Sequence, residues 1–263
     1  MKIIVTGGAG FIGSHLVDEL LTKSHEVIVL DNFSTGRKQN LDHIENIKII
    51  DCDLSINGSW TSEFRGTDLV FHIAALADIV PSIKDPSKYF EANVVGTFNT
   101  LKASHEHGVK KFIYSASSSC YGIPKKYPTN EKEEIDTHYP YALTKKMGED
   151  LVMHFEKIYK LPSISLRFFN VYGTRSRTSG TYGAVMGVFL AQKIANKPFT
   201  IVGDGEQTRD FTYVSDVVNA LIKASDSDLS GEILNVGSGN TISVNTLAKL
   251  IGGNDYKKLF IPK

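Results

Sequence analysis

Tyr141 and Lys145 stand four residues apart in Tyr141-Ala142-Leu143-Thr144-Lys145, directly after Pro140. In a helix, residues i and i+4 share one face, so a phenol and an ammonium point the same way. A nearby ammonium favours the phenolate and lowers the phenol's pKa. A phenol so tuned can take a proton from an alcohol as a general base. The spacing alone is common, because a helix start with a surface lysine has the same pattern. A third member is offered by Lys111-Phe112-Ile113-Tyr114, which runs into Ser115-Ala116-Ser117-Ser118-Ser119-Cys120-Tyr121-Gly122. Serines there sit at the carboxyl edge of a strand, although most hydroxyls in such a run serve only turns and caps.

A second constellation lies at the start of the chain. Gly7, Gly10 and Gly13 form GxxGxxG in Thr6-Gly7-Gly8-Ala9-Gly10-Phe11-Ile12-Gly13, between a predicted strand and a predicted helix. Glycine is needed where such a turn takes positive φ, where backbone approaches a pyrophosphate and where helix meets strand. Free N–H groups at the helix start then face phosphate. Asp31 ends the next predicted strand, where a carboxylate accepts hydrogen bonds from ribose hydroxyls and repels a 2′-phosphate. The pattern predicts a nicotinamide dinucleotide site for NAD, with Arg37 and Lys38 in the following loop as the argument for NADP.

The elements that must position these groups alternate. Strands are predicted at Lys2–Thr6, Glu26–Leu30, Ile47–Ile50, Asp68–Ile73, Lys111–Ser115 and Ser163–Phe168, and amphipathic helices at Ser14–Lys23, Tyr89–His107 and Tyr141–Tyr159. The polar stretch Asn32–Glu45 reads as a loop. Such alternation predicts an α/β fold, a Rossmann doubly wound parallel sheet. After Asn170 the rhythm changes. A Gly/Ser/Thr loop (Ser176–Gly183) precedes a helix (Ala184–Asn196), strands near Phe199–Val202 and Asp210–Val214, a helix (Ser215–Ser225), Ile233–Val236 and a last helix (Val244–Ile251). The reading is a dinucleotide-binding domain over 1–170, with some later segments returning to it. A smaller substrate-binding cap over 171–263 covers the strand ends, where open sheets bind ligands. No turn signal or polar tail follows Phe260-Ile261-Pro262, so the C-terminus is expected to be incomplete.

Composition narrows the partners. The chain has 263 residues, 41% hydrophobic and 22% charged, and its 29 basic side chains balance 29 acidic ones. That balance offers nothing to hold a polyanion, so no nucleic acid is expected. No apolar run reaches the ~18 residues of a membrane span. Cys52 and Cys120 make neither a disulfide framework nor a zinc pattern, which suits a reducing cytoplasm, and no metal is expected.

Taken together, these segments resemble the extended short-chain dehydrogenase/reductase family, in its nucleotide-sugar epimerase/dehydratase branch, and are most like the UDP-glucose 4-epimerases. The markers are the glycine turn, Asp31-Asn32, Asp53-Leu54, His72-Ile73-Ala74-Ala75, Asn93, the serine segment ending Tyr121-Gly122, Tyr141 to Lys145, Leu166-Arg167-Phe168-Phe169-Asn170, Arg209-Asp210-Phe211 and Asn235-Val236-Gly237. The resemblance implies that Tyr141 is the catalytic base, that Lys145 holds the nicotinamide ribose and tunes Tyr141, and that Ser117 bonds the sugar's 4-oxygen. It places Gly7, Gly10, Phe11, Ile12, Gly13, Asp31, Asn32, Ser34 and Gly36 on the cofactor. Asp53 and Leu54 border its adenine, Ala74, Ala75 and Leu76 its central part, with Asn93 and Ser115 nearby, and Phe169 packs on the nicotinamide region. Asn170 and Arg209 contact the diphosphate of a nucleotide sugar. A homodimer through helices Tyr89–His107 and Tyr141–Tyr159 is implied as well. Relatives usually carry a second diphosphate-binding arginine beyond the point where this chain ends.

The implied reaction is epimerisation at C4 of a nucleotide-linked hexose, with UDP as the expected nucleotide, through a transient 4-keto sugar. Dehydrating relatives need an Asp-Glu pair and decarboxylating ones a Glu where this chain has Ser118 and Ser119, which cannot supply a carboxylic proton. Cys120 lies one place away from the cysteine of the epimerising reductases and reads as a small buried residue. The other class of function is a non-catalytic NAD-sensing module, which would need none of Ser117, Tyr141 and Lys145.

Overall fold

A computed structural model describes residues 1–176, 185–253 and 256–262. The first half lays down β1 (Lys2–Thr6), α1 (Phe11–Thr22), β2 (Glu26–Asp31), β3 (Lys48–Asp51) and β4 (Leu69–His72). There follow α2 (Ile79–Lys84), α3 (Pro86–Phe90), a π-helical turn (Glu91–Val95), α4 (Gly96–Glu106), β5 (Lys111–Ser117), a 3-10 turn (Ser118–Tyr121), α5 (Pro140–Tyr159) and β6 (Ser163–Phe168). The second half contains β7 (Asn170–Tyr172), α6 (Val185–Ile194), β8 (Phe199–Val202), β9 (Thr208–Tyr213), α7 (Val214–Asp226), β10 (Glu232–Val236), β11 (Thr241–Ser243), α8 (Val244–Gly252) and β12 (Lys258–Ile261). Of the predicted Gly/Ser/Thr loop, residues 177–183 lie outside the described residues.

Seven strands form one sheet in the order β10-β6-β5-β4-β1-β2-β3, with every pairing parallel. The chain leaves β1 toward β2 and β3, then returns to the other side of β1 as β4. This reversal opens the crevice at the carboxyl ends of the strands where such sheets bind ligands. Side chains alternate between the two faces. Ile3, Val5, Val27 and Val29 pack with Leu16, Val17 and Leu20 of α1 and Val217 and Leu221 of α7, whereas Ile4, Ile28, Val70 and Phe112 pack with Leu101 of α4 and Val152 and Phe155 of α5. α7 and β10 therefore belong to the large sheet although they follow the cap's first strands. The cap is smaller. It holds the sheet β11-β9-β7 and the pair β12-β8, around Phe189, Phe199, Ile201, Val244 and Leu247.

Three departures from the sequence reading bear on the site. β5 runs two residues past Ser115, because Ala116 and Ser117 still pair with Arg167 and Phe168 of β6. The period over Tyr89–His107 predicts one helix, but the segment opens with α3 and passes through the π turn before α4. The backbone stays helical on both sides of that turn (φ −63°, ψ −48° at Phe90), while Asn93 swings inward to meet another loop. α2 has no counterpart in the sequence reading. Among the described residues, no helix is long and apolar enough to cross a membrane.

Candidate active site

The glycine turn is built to be empty of side chains. Gly7 has φ +67°, and a Cβ there would lie 2.7 Å from the Ala74 nitrogen; a Cβ at Gly13 would lie 2.1 Å from the Gly7 carbonyl oxygen. α1 opens on Gly10 with no side-chain cap, which leaves its first N–H groups available to a ligand. The loop after β2 folds over this turn, as the Arg37 N–H and the Asn40 amide both donate to the Ala9 carbonyl at 3.0 and 2.8 Å. Asp31 is buried between them. Its carboxylate accepts from the Ala9 N–H at 2.9 Å and the Phe33 N–H at 2.8 Å. Burial pushes its pKa up, and those two bonds pull it back. Asn32 accepts from the Ser34 N–H at 3.0 Å and reaches Asp53, whose carboxylate also accepts from Ser55; Leu54 beside it is buried.

Beneath the turn runs a chain of hydrogen bonds through a fully buried imidazole. Thr97 Oγ1 donates to the Asn93 carbonyl at 2.6 Å, so it accepts from His72 Nε2–H at 2.9 Å. His72 Nδ1 then accepts from Thr6 Oγ1 at 2.8 Å, and Thr6 Oγ1 in turn accepts from the Ala74 N–H at 3.2 Å. Burial foremost, and the charge of Lys145, hold His72 down to a pKa of about 3 against 6.5. Between those two values the unfolded chain binds a proton that the folded chain does not, so stability falls as pH falls through that window. The loss is about 1.4 kcal/mol per pH unit. Urea melts at pH 6.5 and 5 should thus show a slope that His72→Gln reduces by about 1 to 1.4 kcal/mol per pH unit; parallel slopes in the two proteins would mean the imidazole is not held neutral.

Asn93 ties two further parts of the site together. Its Oδ1 accepts from the Leu76 N–H at 2.8 Å, and its Nδ2 donates to the Leu76 carbonyl and to Thr144 Oγ1, both at 3.0 Å. Both amide hydrogens are spent on protein, and Asn93 thereby holds the Ala74–Leu76 loop against α5. Ser115 is likewise engaged, donating to the His72 carbonyl at 3.1 Å.

Tyr141 and Lys145 emerge from the first turns of α5 toward β5. The Ser117 hydroxyl, at the last position of β5, lies close enough to the Tyr141 phenol to lower its pKa. Ser117 Oγ also lies 2.8 Å from Ser119 Oγ, which keeps the serine turn compact. Lys145 is buried, with Nζ 4.4 Å above the centre of the Tyr114 ring. The electrostatics differ from the sequence expectation. Burial raises the Tyr141 pKa, against the nearby Ser117 hydroxyl that lowers it, and burial drives Lys145 down to about 7, against the charge of Glu149. Desolvation outweighs the help that the i, i+4 spacing promises, because Lys145 is buried and Tyr141 half-buried at the sheet edge.

A buried ion pair braces this arrangement from behind. Arg167 on β6 donates from Nε and Nη2 to the two oxygens of Glu149 on α5, at 2.9 and 2.6 Å. Its Nη1 donates to Tyr121 Oη at 2.8 Å, and Tyr121 Oη donates to Asn235 Oδ1 at 2.7 Å. α5, β6, the serine turn and β10 are joined in one network. At the cap, the Phe169 N–H donates to the Val236 carbonyl at 3.0 Å and Asn170 Nδ2 to the Asp210 carbonyl at 2.8 Å. Arg209 is exposed and donates to the Thr208 carbonyl at 2.7 Å. The structure thus groups Ser117, Tyr141 and Lys145 at the strand ends, and Phe169 and Asn170 beside the Asp210 loop; Arg209 stays at the rim.

The sequence profile of the NAD dependent epimerase/dehydratase family matches residues 3–237. The chain belongs to that family. It is 38% identical over 255 residues to a putative UDP-glucose 4-epimerase of Methanocaldococcus jannaschii, covering 95% of this chain and 81% of that protein. It is 34% identical over 254 residues to a UDP-N-acetyl-alpha-D-glucosaminuronate decarboxylase of Bacillus cytotoxicus, covering 94% and 78%. A crystal structure of UDP-glucose 4-epimerase with UDP-glucose from Thermotoga maritima superposes with a TM-score of 0.95 at 36% identity, over all of this chain and 86% of that one. As a member of the epimerase/dehydratase family the chain is an NAD-dependent nucleotide-sugar-modifying enzyme. The family leaves the reaction open, since its members include both epimerases and decarboxylases.

NAD, the cofactor of this family, fits the residues present. The uncapped start of α1 leaves backbone N–H groups for a pyrophosphate, and Asp31 keeps lone pairs beyond the two that its backbone partners use. The sequence reading quoted His72, Tyr121, Arg167 and Asn235 as family markers without assigning them work. One signal was present: a histidine closing the apolar run Leu69-Val70-Phe71, in register with Thr6 on the neighbouring strand. Ser82 and Glu149 gave no such signal.

Proposed function

We propose that this chain interconverts the C4 epimers of a nucleotide-linked hexose, of the UDP-hexose class, through a transient 4-keto sugar. The carrying observation is the placement of Tyr141 on α5 facing a turn of three hydroxyls at the end of β5, Ser117, Ser118 and Ser119, with no carboxyl among them. Tyr141 Oη takes the proton of the sugar's 4-hydroxyl and later returns it. Ser117 Oγ orients that oxygen against Tyr141. When bound, NAD supplies a reversible hydride acceptor for C4. Lys145 Nζ holds the nicotinamide ribose, the glycine turn and Asp31 hold the pyrophosphate and the adenine ribose, and Asp53 and Leu54 border adenine. Ala74 to Leu76 and Phe169 line the remainder, and Asn170 and Arg209 hold the substrate diphosphate. Elimination of water or carbon dioxide needs an added acid or base that Ser118 and Ser119 do not supply.

The test is a panel of UDP-sugars incubated with the purified protein and followed by NMR. The expected result is appearance of the C4 epimer of one of them without added cofactor; release of a dehydrated or decarboxylated sugar would replace this reading. We also propose a homodimer through α3, α4 and α5. Their outer faces expose Phe90, Phe98, Leu143 and Tyr159, and Phe90 and Leu143 line a cleft of about 490 Å³ with Pro86, Tyr139 and Met147. A monomeric mass in light scattering would refute that assembly.

A further inference from the structure

We propose that Ser82 is a positioning residue for Tyr141, capping from across the fold the helix that carries the phenol. The inference rests on the reading of Tyr141 as the proton-transferring group.

α5 supplies no cap of its own. Its N-cap residue, Tyr139, makes no side-chain cap hydrogen bond, and Pro140 takes the first helical position. Proline has no N–H, so the first donor left to satisfy in this helix is that of Tyr141 itself. That donor goes to Ser82 Oγ at 3.1 Å, from α2, 59 residues earlier in the chain. Ser82 is fully buried, and its own hydroxyl proton is committed to the Ile79 carbonyl at 2.5 Å. Its oxygen is therefore left to act as the acceptor for Tyr141, and the direction of the bond is fixed.

The other end of the residue is held as well. The Tyr141 carbonyl accepts from Thr144 Oγ1 at 3.1 Å, and Thr144 Oγ1 accepts from Asn93 Nδ2 at 3.0 Å. Helix ends fray because their outermost groups lack partners within the helix. Tyr141 sits in that outermost turn, yet proton transfer demands that its oxygen hold a hydrogen-bond geometry. A misplacement of roughly 1 Å can cost about a hundredfold in rate. Ser82 removes the freedom to fray at the residue where fraying would matter most. The same hydroxyl fixes α2 to α5, so the loop after β4 and the catalytic helix keep a constant separation.

The experiment compares Ser82→Ala, which removes the acceptor, with Ser82→Thr, which keeps it. Amide hydrogen exchange at Tyr141 is read in the purified protein without substrate, and kcat and KM are read with the UDP-sugar that wild type turns over. In wild type the Tyr141 amide should be protected, unlike an ordinary first-turn amide. In Ser82→Ala it should exchange at least about tenfold faster, with kcat down by about tenfold, KM within about twofold and NAD content unchanged. Ser82→Thr should recover both protection and kcat. The proposal is overturned by an unprotected Tyr141 amide in wild type, by unchanged exchange and kcat in Ser82→Ala, or by a rise in KM at constant kcat. Should wild type epimerise no UDP-sugar, the reading of Tyr141's chemistry fails, while the exchange measurement still decides whether Ser82 caps the helix.

Discussion

Tyr141→Phe should lower kcat by about 10²- to 10⁴-fold, the range that a positioned general acid–base group contributes. The substitution takes away one oxygen and keeps the ring. The backbone bonds that seat residue 141, from its N–H to Ser82 and from Thr144 to its carbonyl, remain. The glycine turn and the Asp31 bonds to Ala9 and Phe33 lie on other elements, so NAD content should match wild type. The loss should appear equally in kcat and kcat/KM, because the missing interaction is made in the transition state rather than on binding. Epimer formation by NMR and extraction of bound nucleotide measure the two quantities separately. Turnover within about tenfold of wild type would remove Tyr141 from the chemistry.

The parts of this site that the sequence discloses are those whose cause is local. The glycine turn is legible because positive φ at Gly7 and close approach at Gly13 each require glycine, and the flanking strand and helix have their own periods. β1 is read to the residue, since an apolar run bounded by glycine has few other solutions. β7, β11 and β12 are three or four residues long, carry no usable alternation and form only by pairing with distant segments. The π turn is equally hidden, because it answers the pull of Leu76 on Asn93 and not a pattern within its own five residues. The same division runs through the chemistry. The spacing of Tyr141 and Lys145 gives their shared face but not their pKa values, which are set by burial against Tyr114 and by Ser117. The sequence shows which groups can react, while long-range contacts decide how they are held.

The ion pair behind the serine turn gives the largest expected effect on stability. Arg167 and Glu149 are both almost fully buried and meet through two hydrogen bonds, so Arg167→Met leaves a carboxylate in the interior with its main partner gone. Burial alone would depress the guanidinium, but the bonds to Glu149 and Tyr121 more than offset it and hold Arg167 above its usual pKa. Breaking such a pair costs about 3–5 kcal/mol, whereas replacing both partners with apolar residues of similar volume is often neutral. Arg167→Met should therefore destabilise by about that amount in urea melts, and the double variant Arg167→Met/Glu149→Leu should recover most of it. Activity should separate from stability. Tyr121 Oη loses its Arg167 donor in both variants, and Tyr121 closes the turn that begins at Ser117. The double variant should melt near wild type yet turn over more slowly, both through the loosened serine turn and through loss of the Glu149 charge that opposes the lowering of the Lys145 pKa, which would distinguish a role in the site from a device that merely stabilises the fold. A double variant no more stable than Arg167→Met would show that the uncompensated carboxylate is not what makes the single substitution costly.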